Sequence, residues 1–120
     1  MHRAAWHLRR VKWLVVLAAL AGACNRDLAG DTADGAQVFS KICSACHGPT
    51  GKPNEAMVAR LGVKDLTAPD ERLKITPAFV EHQVRNGSQN KLMPALAGAL
   101  DDQQIKAVSA YVASPHFVQK

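Results

Sequence analysis

Apolar residues recur at helical spacing along most of this chain, and nowhere do they alternate with the period of two that marks a strand. In the first such stretch, residues 34–45, Val38, Phe39 and Ile42 share one face, and Gly35 lies on it four positions before Phe39. Gly48 and Pro49 end that segment. A second helix is predicted from Thr76 and Pro77, with the threonine as N-cap and the proline at the first helical position. Phe79, Val80 and Val84 form its apolar stripe, and Gly87 stops it. The last helix is the best specified. Asp101 and Gln104 fit a D-x-x-Q variant of the capping box, and Leu100 can pack on Ile105. Ile105, Val108, Tyr111 and Val112 then repeat at helical spacing until Pro115. Between 48 and 72 the pattern is weaker, with Met57, Leu61 and Leu66 pointing to a short helix and a loop. The expected fold class is all-α.

The start of the chain has a different character. Arg3, Arg9, Arg10 and Lys12 precede an unbroken apolar run at 13–23, WLVVLAALAGA. That run is shorter than the ~20 residues a membrane-spanning helix needs, and small residues follow, so 1–23 reads as a secretory signal peptide. The leader holds four of the fifteen basic residues and none of the ten acidic ones. Residues 24–120 therefore carry eleven against ten, a net charge of +1 rather than the +5 of the whole chain. The basic pI gives no ground for a nucleic-acid partner.

Cys24 follows the leader at once, and two readings fit it. Leu20-Ala21-Gly22-Ala23-Cys24 resembles a bacterial lipobox, although Ala21 stands where leucine is usual. Lipidation there would hold the protein on a membrane surface. The same bond also reads as an ordinary A-x-A cleavage site. Residues 24–33 are small and polar, as expected of a flexible tether, and 34–120 is one domain by length.

The densest chemistry lies at the end of the first helical stretch, in Cys43-Ser44-Ala45-Cys46-His47. This is C-x-x-C-H, the attachment signal for a c-type haem. Thiols three positions apart share one face of a helical turn, where both can add to the vinyl groups of one porphyrin. The following histidine can then give an imidazole nitrogen to the iron. A structural zinc site would need about four ligands from two separated pairs, and the sequence has no second C-x-x-C.

With these residues the chain resembles the class I mono-haem c-type cytochromes over nearly all of 34–120. The resemblance rests on Gly35-x-x-x-Phe39 running into C-S-A-C-H-G, a late Leu92-Met93-Pro94, and a last helix carrying Tyr111. It implies a small helical domain wrapped around one covalent haem c. It also implies a crossing of the first and last helices at Gly35, Phe39 and the Ala110–Tyr111 region. It maps Met93, forty-six positions after His47, onto the axial methionine. A thioether is a soft, neutral ligand that raises the reduction potential relative to a second imidazole, and Pro94 stiffens the loop. Met57 is the better candidate for simple core filling. His82 is the rival sixth ligand, an open sixth position is the other alternative, and His116 lies in the tail.

The family often supplies a proline carbonyl to the proximal histidine from a Gly-Pro pair some residues after the motif, whereas here the available prolines are Pro49 and Pro53, and both come early. Lys41, Lys52 and Lys91 either flank a haem edge and steer an acidic partner or are scattered solvated side chains.

The implied function is one-electron transfer, not enzymatic catalysis. Redox partners would be proteins such as a dehydrogenase or a terminal oxidase, and the location would be the periplasm or a membrane surface facing it. The sequence carries no nucleophile elbow, P-loop or dinucleotide fingerprint. A ligand-binding haem protein would need the sixth position open, and a haem-containing subunit of a larger redox complex would share the chemistry and differ in its partner.

Overall fold

The computed structural model describes residues 29–119, so the leader at 1–23 and Cys24 lie outside the described residues. The first helix, α1, runs as α-helix over Gly35–Val38, as a π turn over Phe39–Cys43 and as α-helix again over Ser44–His47. Asp34 caps it by accepting from the backbone N–H groups of Ala36 and Gln37. Four further helices follow: α2 Glu55–Leu61, α3 Pro69–Arg72, α4 Pro77–Asn86 and α5 Asp102–Ala113. A 3-10 turn, Pro115–Val118, comes last. The described residues contain no strand, only an isolated bridge between Ala97 and Leu100.

The caps form where the sequence places them. The Thr76 hydroxyl accepts from the Phe79 N–H, with Pro77 at the first helical position. Asp101 accepts from the Gln104 N–H at 2.8 Å, and the Gln104 side chain accepts from the Asp101 N–H at 3.0 Å, which completes the capping box.

The last helix organises the core, packing against both α1 and α4. Ile105, Val108 and Val112 of α5 are buried with Val38 and Phe39 of α1, Val84 of α4, Leu100 and Phe117. At the crossing with α1, a Cβ on Gly35 would collide with the Ala107 carbonyl oxygen and lie 2.8 Å from Tyr111 Cβ. Only glycine lets the two helices approach this closely. Phe39, Tyr111 and Phe117 form a three-ring cluster beside it, with centroids 5.1 to 6.0 Å apart and steep interplanar angles.

Three features were not predicted from the pattern. Phe79 is 46% exposed, while Val84 on the same helix is buried. Positions five apart on a helix diverge by roughly 140°, so Phe79 cannot share the direction of Val84 as Val80 does. Second, the tail folds back and puts Phe117 in the core. Arg72 lies over its ring at 5.6 Å and donates to the Val112 and Ser114 carbonyls at 2.7 and 3.1 Å, capping the C-terminal end of α5. Third, the segment ahead of α1 is docked. Ala29 is buried, Gln104 Nε2 donates to the Gly30 and Thr32 carbonyls, and Lys41 Nζ donates to the Ala29 carbonyl.

Candidate haem-binding site

The three residues of the attachment motif occupy the last turns of α1. Cys43 closes the π turn and packs partly buried against the core, whereas Cys46 is exposed in the final α-helical stretch. Both are free thiols. Burial, and then the neighbouring Cys46, push the Cys43 thiol up to about 11. One thiol thus faces the apolar interior and the other faces outward from the next turn. Gly48, at φ 76°, ends the helix, and its N–H donates to the Ser44 carbonyl at 2.9 Å.

His47 is the third member of the motif. Its Nδ1 is buried and has no partner of hydrogen-bond geometry. Burial lowers the imidazole pKa, and the backbone carbonyl of Lys64 partly offsets that. The loop holding Lys64 is tied to the one after His47 by the Leu66 N–H, which donates to the Gly51 carbonyl at 2.9 Å. The acceptor beside the imidazole therefore comes from Lys64 rather than from Pro49 or Pro53. A backbone carbonyl has no side-chain signature, so nothing in residue type pointed to it. A partly buried imidazole that follows two thiols is a donor set that suits a haem iron, whose histidine ligand is oriented through the ring nitrogen that does not bind the metal.

Met93 reaches the same core from the other half of the chain. It is partly buried and packs on the core cluster, as do Cys43, Ile42, Leu66, Val80 and Leu96. Met57, partly buried on α2, is not among the residues packed there. The Met93 backbone is gripped by Ser88: the Met93 N–H donates to Ser88 Oγ at 3.0 Å, and the Ser88 N–H donates to the Met93 carbonyl at 3.0 Å. The loop is tied to α4 by the Leu96 N–H, which donates to the Val84 carbonyl at 2.8 Å. His82 is exposed on α4, its Nδ1 3.2 Å from the Asn86 amide nitrogen, and it lines an open polar depression with Ser88, Asn90 and Lys91. His116 is exposed in the 3-10 turn.

The three lysines occupy separate surroundings. Lys41 is engaged with Ala29, and Lys52 helps hold the Asp65 carboxyl below its usual value, a shift due first to the Thr67 hydroxyl. Lys91 sits at φ 62° in the turn before Met93.

This arrangement has counterparts in known proteins. The family described as cytochrome c oxidase, cbb3-type, subunit III matches residues 30–112. Cytochrome c6 of Thermosynechococcus vestitus (strain NIES-2133 / IAM M-273 / BP-1) is 37% identical over 98 residues, which cover 82% of this chain and 82% of that protein. Cytochrome c6 of Thermostichus vulcanus is 40% identical over 85 residues, covering 71% and 70%. Cytochrome c6 of Euglena viridis is 39% identical over 82 residues, covering 67% and 87%. No solved structure matches the chain. With Cys43 and Cys46 in the expected positions of C-x-x-C-H, the chain belongs to the class I mono-haem c-type cytochromes, electron carriers with a covalently bound haem c.

Proposed function

We propose that this cytochrome is a low-spin one-electron carrier in which His47 and Met93 would be the two protein ligands of the iron. The observation that carries the reading is the pairing of two elements on one core. The motif helix ends in a buried, unpartnered His47 nitrogen, and the loop of Met93 is fastened so that its thioether lies against the same apolar cluster as Cys43. Cys43 and Cys46 would anchor the group as thioethers. His47 would bind iron through one ring nitrogen, and the Lys64 carbonyl beside the imidazole would help keep the ring from turning. Met93 would supply a neutral sulfur that favours the ferrous state. When bound, the haem would supply one-electron redox chemistry, with His47 and Met93 as the residues that hold the iron. With both residues engaged, no coordination position would be left for a substrate, which suits electron transfer rather than catalysis at the iron.

Export by the 1–23 leader places the carrier in the periplasm, where its partners would be redox proteins. Lipidation of Cys24 would hold it at the membrane surface. Among the described residues no helix is long and apolar enough to cross a membrane. The match to the oxidase-subunit family favours a second reading, a haem-bearing subunit of a larger redox complex. Co-purification from the native membrane separates the two, because a stable assembly persists through size-exclusion chromatography and a diffusing carrier elutes alone. The ligand set is tested by the visible spectrum. A methionine-ligated ferric haem shows a weak far-red band, and its absence in the wild type would move the sixth ligand elsewhere.

A further inference from the structure

The turn before Met93 is built around one side chain. Ser88 uses its hydroxyl and its own N–H to take both backbone polar groups of Met93, each at 3.0 Å. The hydroxyl proton is already committed, because Ser88 Oγ donates to Asn90 Oδ1 at 2.6 Å. Its lone pairs are therefore left for the Met93 N–H. The same Asn90 oxygen accepts from the Leu92 N–H at 3.1 Å, which only an oxygen can do, so the orientation of that amide is fixed. The Lys91 N–H closes the turn onto the Ser88 carbonyl at 3.1 Å. Two backbone features belong to the same device. Lys91 holds φ 62°, the one positive φ of a non-glycine residue among those described, and such conformations persist where the surroundings over-determine them. Gly87, at φ 72°, lets the chain pass so close that a Cβ there would lie 2.5 Å from the Met93 carbonyl oxygen.

We propose that Ser88 is a positioning residue for the sixth iron ligand: through Asn90 it fixes the Met93 backbone, and so keeps the thioether pointed at the iron against competing ligands. The proposal rests on the reading of Met93 as that ligand. A serine at this place is more than a turn former. Removing its hydroxyl leaves the Ser88 N–H bond to Met93 intact and frees the Met93 N–H, while Asn90 Oδ1 keeps the Leu92 N–H. The backbone path of the loop should survive while the hold on the sulfur loosens.

The test uses full-length, haem-loaded protein and imidazole as the competing ligand for the oxidised iron. In Ser88→Ala the far-red methionine band should persist but weaken, and imidazole should bind about tenfold more tightly than to the wild type, the worth of one hydrogen bond. Ser88→Thr keeps the hydroxyl and should return to within about twofold of the wild type. Asn90→Ala leaves the serine but removes the acceptor that orients its proton. It should tighten imidazole binding by a smaller factor, about threefold, and it carries the test if Ser88→Ala does not accumulate. Wild-type imidazole affinity in Ser88→Ala, or in Asn90→Ala where that variant carries the test, overturns the proposal. Equal tightening in Ser88→Ala and Ser88→Thr does so too, because the hydroxyl would then be irrelevant. A methionine band that survives in Met93→Ala, or is missing from the wild type, instead overturns the ligand assignment itself and this inference with it.

Discussion

Met93 and Lys64 would act on the iron site by different routes, one through its side chain and the other through its backbone. Removing the thioether in Met93→Ala should open the sixth position, lower the reduction potential and create carbon monoxide binding in the reduced protein. Met57→Leu, a nearly volume-conserving swap, should change none of these. Wild-type redox behaviour in Met93→Ala would send the ligand role to His82 first. Lys64→Ala should leave spectrum and potential unaltered, because the group beside the imidazole is a carbonyl that any residue carries. A shifted potential there would show that the lysine charge acts on the site. The candidate site residues that the sequence offers are those whose chemistry lies in the side chain: two thiols and an imidazole in one motif, and a thioether proposed as the further ligand. The Lys64 carbonyl and the grip of Ser88 on Met93 were not legible, since each depends on which backbone groups the loops bring together.

At the scale of elements, the helix ends were the most readable feature. Thr76, Gly87 and the Asp101–Gln104 box act locally, so their signals need no tertiary knowledge. The second task of Gln104 was hidden. The side chain that completes the box also donates to the Gly30 and Thr32 carbonyls, over seventy residues away in sequence. Gln104→Ala should therefore cost about 1–3 kcal/mol in chemical unfolding, since it removes two part-buried hydrogen bonds worth about 0.5–1.5 kcal/mol each. A loss no larger than an exposed cap mutation would mean that the strap contributes nothing. The π turn of α1 was equally hidden, because its apolar spacing differs too little from that of an α-helix over five residues.

Charge links α4 to the start of α5. Arg85 donates to Glu81 and to Asp102, and it holds the Asp102 carboxyl below its usual value, first through the hydrogen bond and then through charge. A carboxylate depressed in the folded state stabilises it fully above the ordinary carboxylate range, and loses that effect as pH falls through the lowered value. The difference in thermal midpoint between wild type and Asp102→Asn should thus be present at neutral pH and vanish in strong acid. A difference that grows on acidification would contradict the pairing.

For the whole molecule, the aromatic cluster, the Gly35 crossing and the docked tail make one core out of α1, α4 and α5. Gly35→Val should cost at least about 1–3 kcal/mol, the usual range for overpacking, because its side chain meets a carbonyl that cannot move without α5. A variant as stable as the wild type would deny the close crossing. The proposed lipidation of Cys24, and the membrane attachment it would give, belong to the same scale. Cys24→Ser should release a soluble protein with an unchanged spectrum, and mass spectrometry of the mature N-terminus reads the modification directly. An unmodified Cys24 would leave a freely diffusing carrier.

The central claim is a covalent haem that exchanges single electrons with both axial positions filled. Redox titration of the purified chain, followed in the visible and far-red and then challenged with carbon monoxide, tests it most directly. The expected result is one single-electron transition, a far-red band confined to the oxidised form, colour that stays with the polypeptide through acid-acetone extraction, and no carbon monoxide adduct in the reduced protein. Ready carbon monoxide binding by the reduced wild type, or haem that extracts completely, would contradict it.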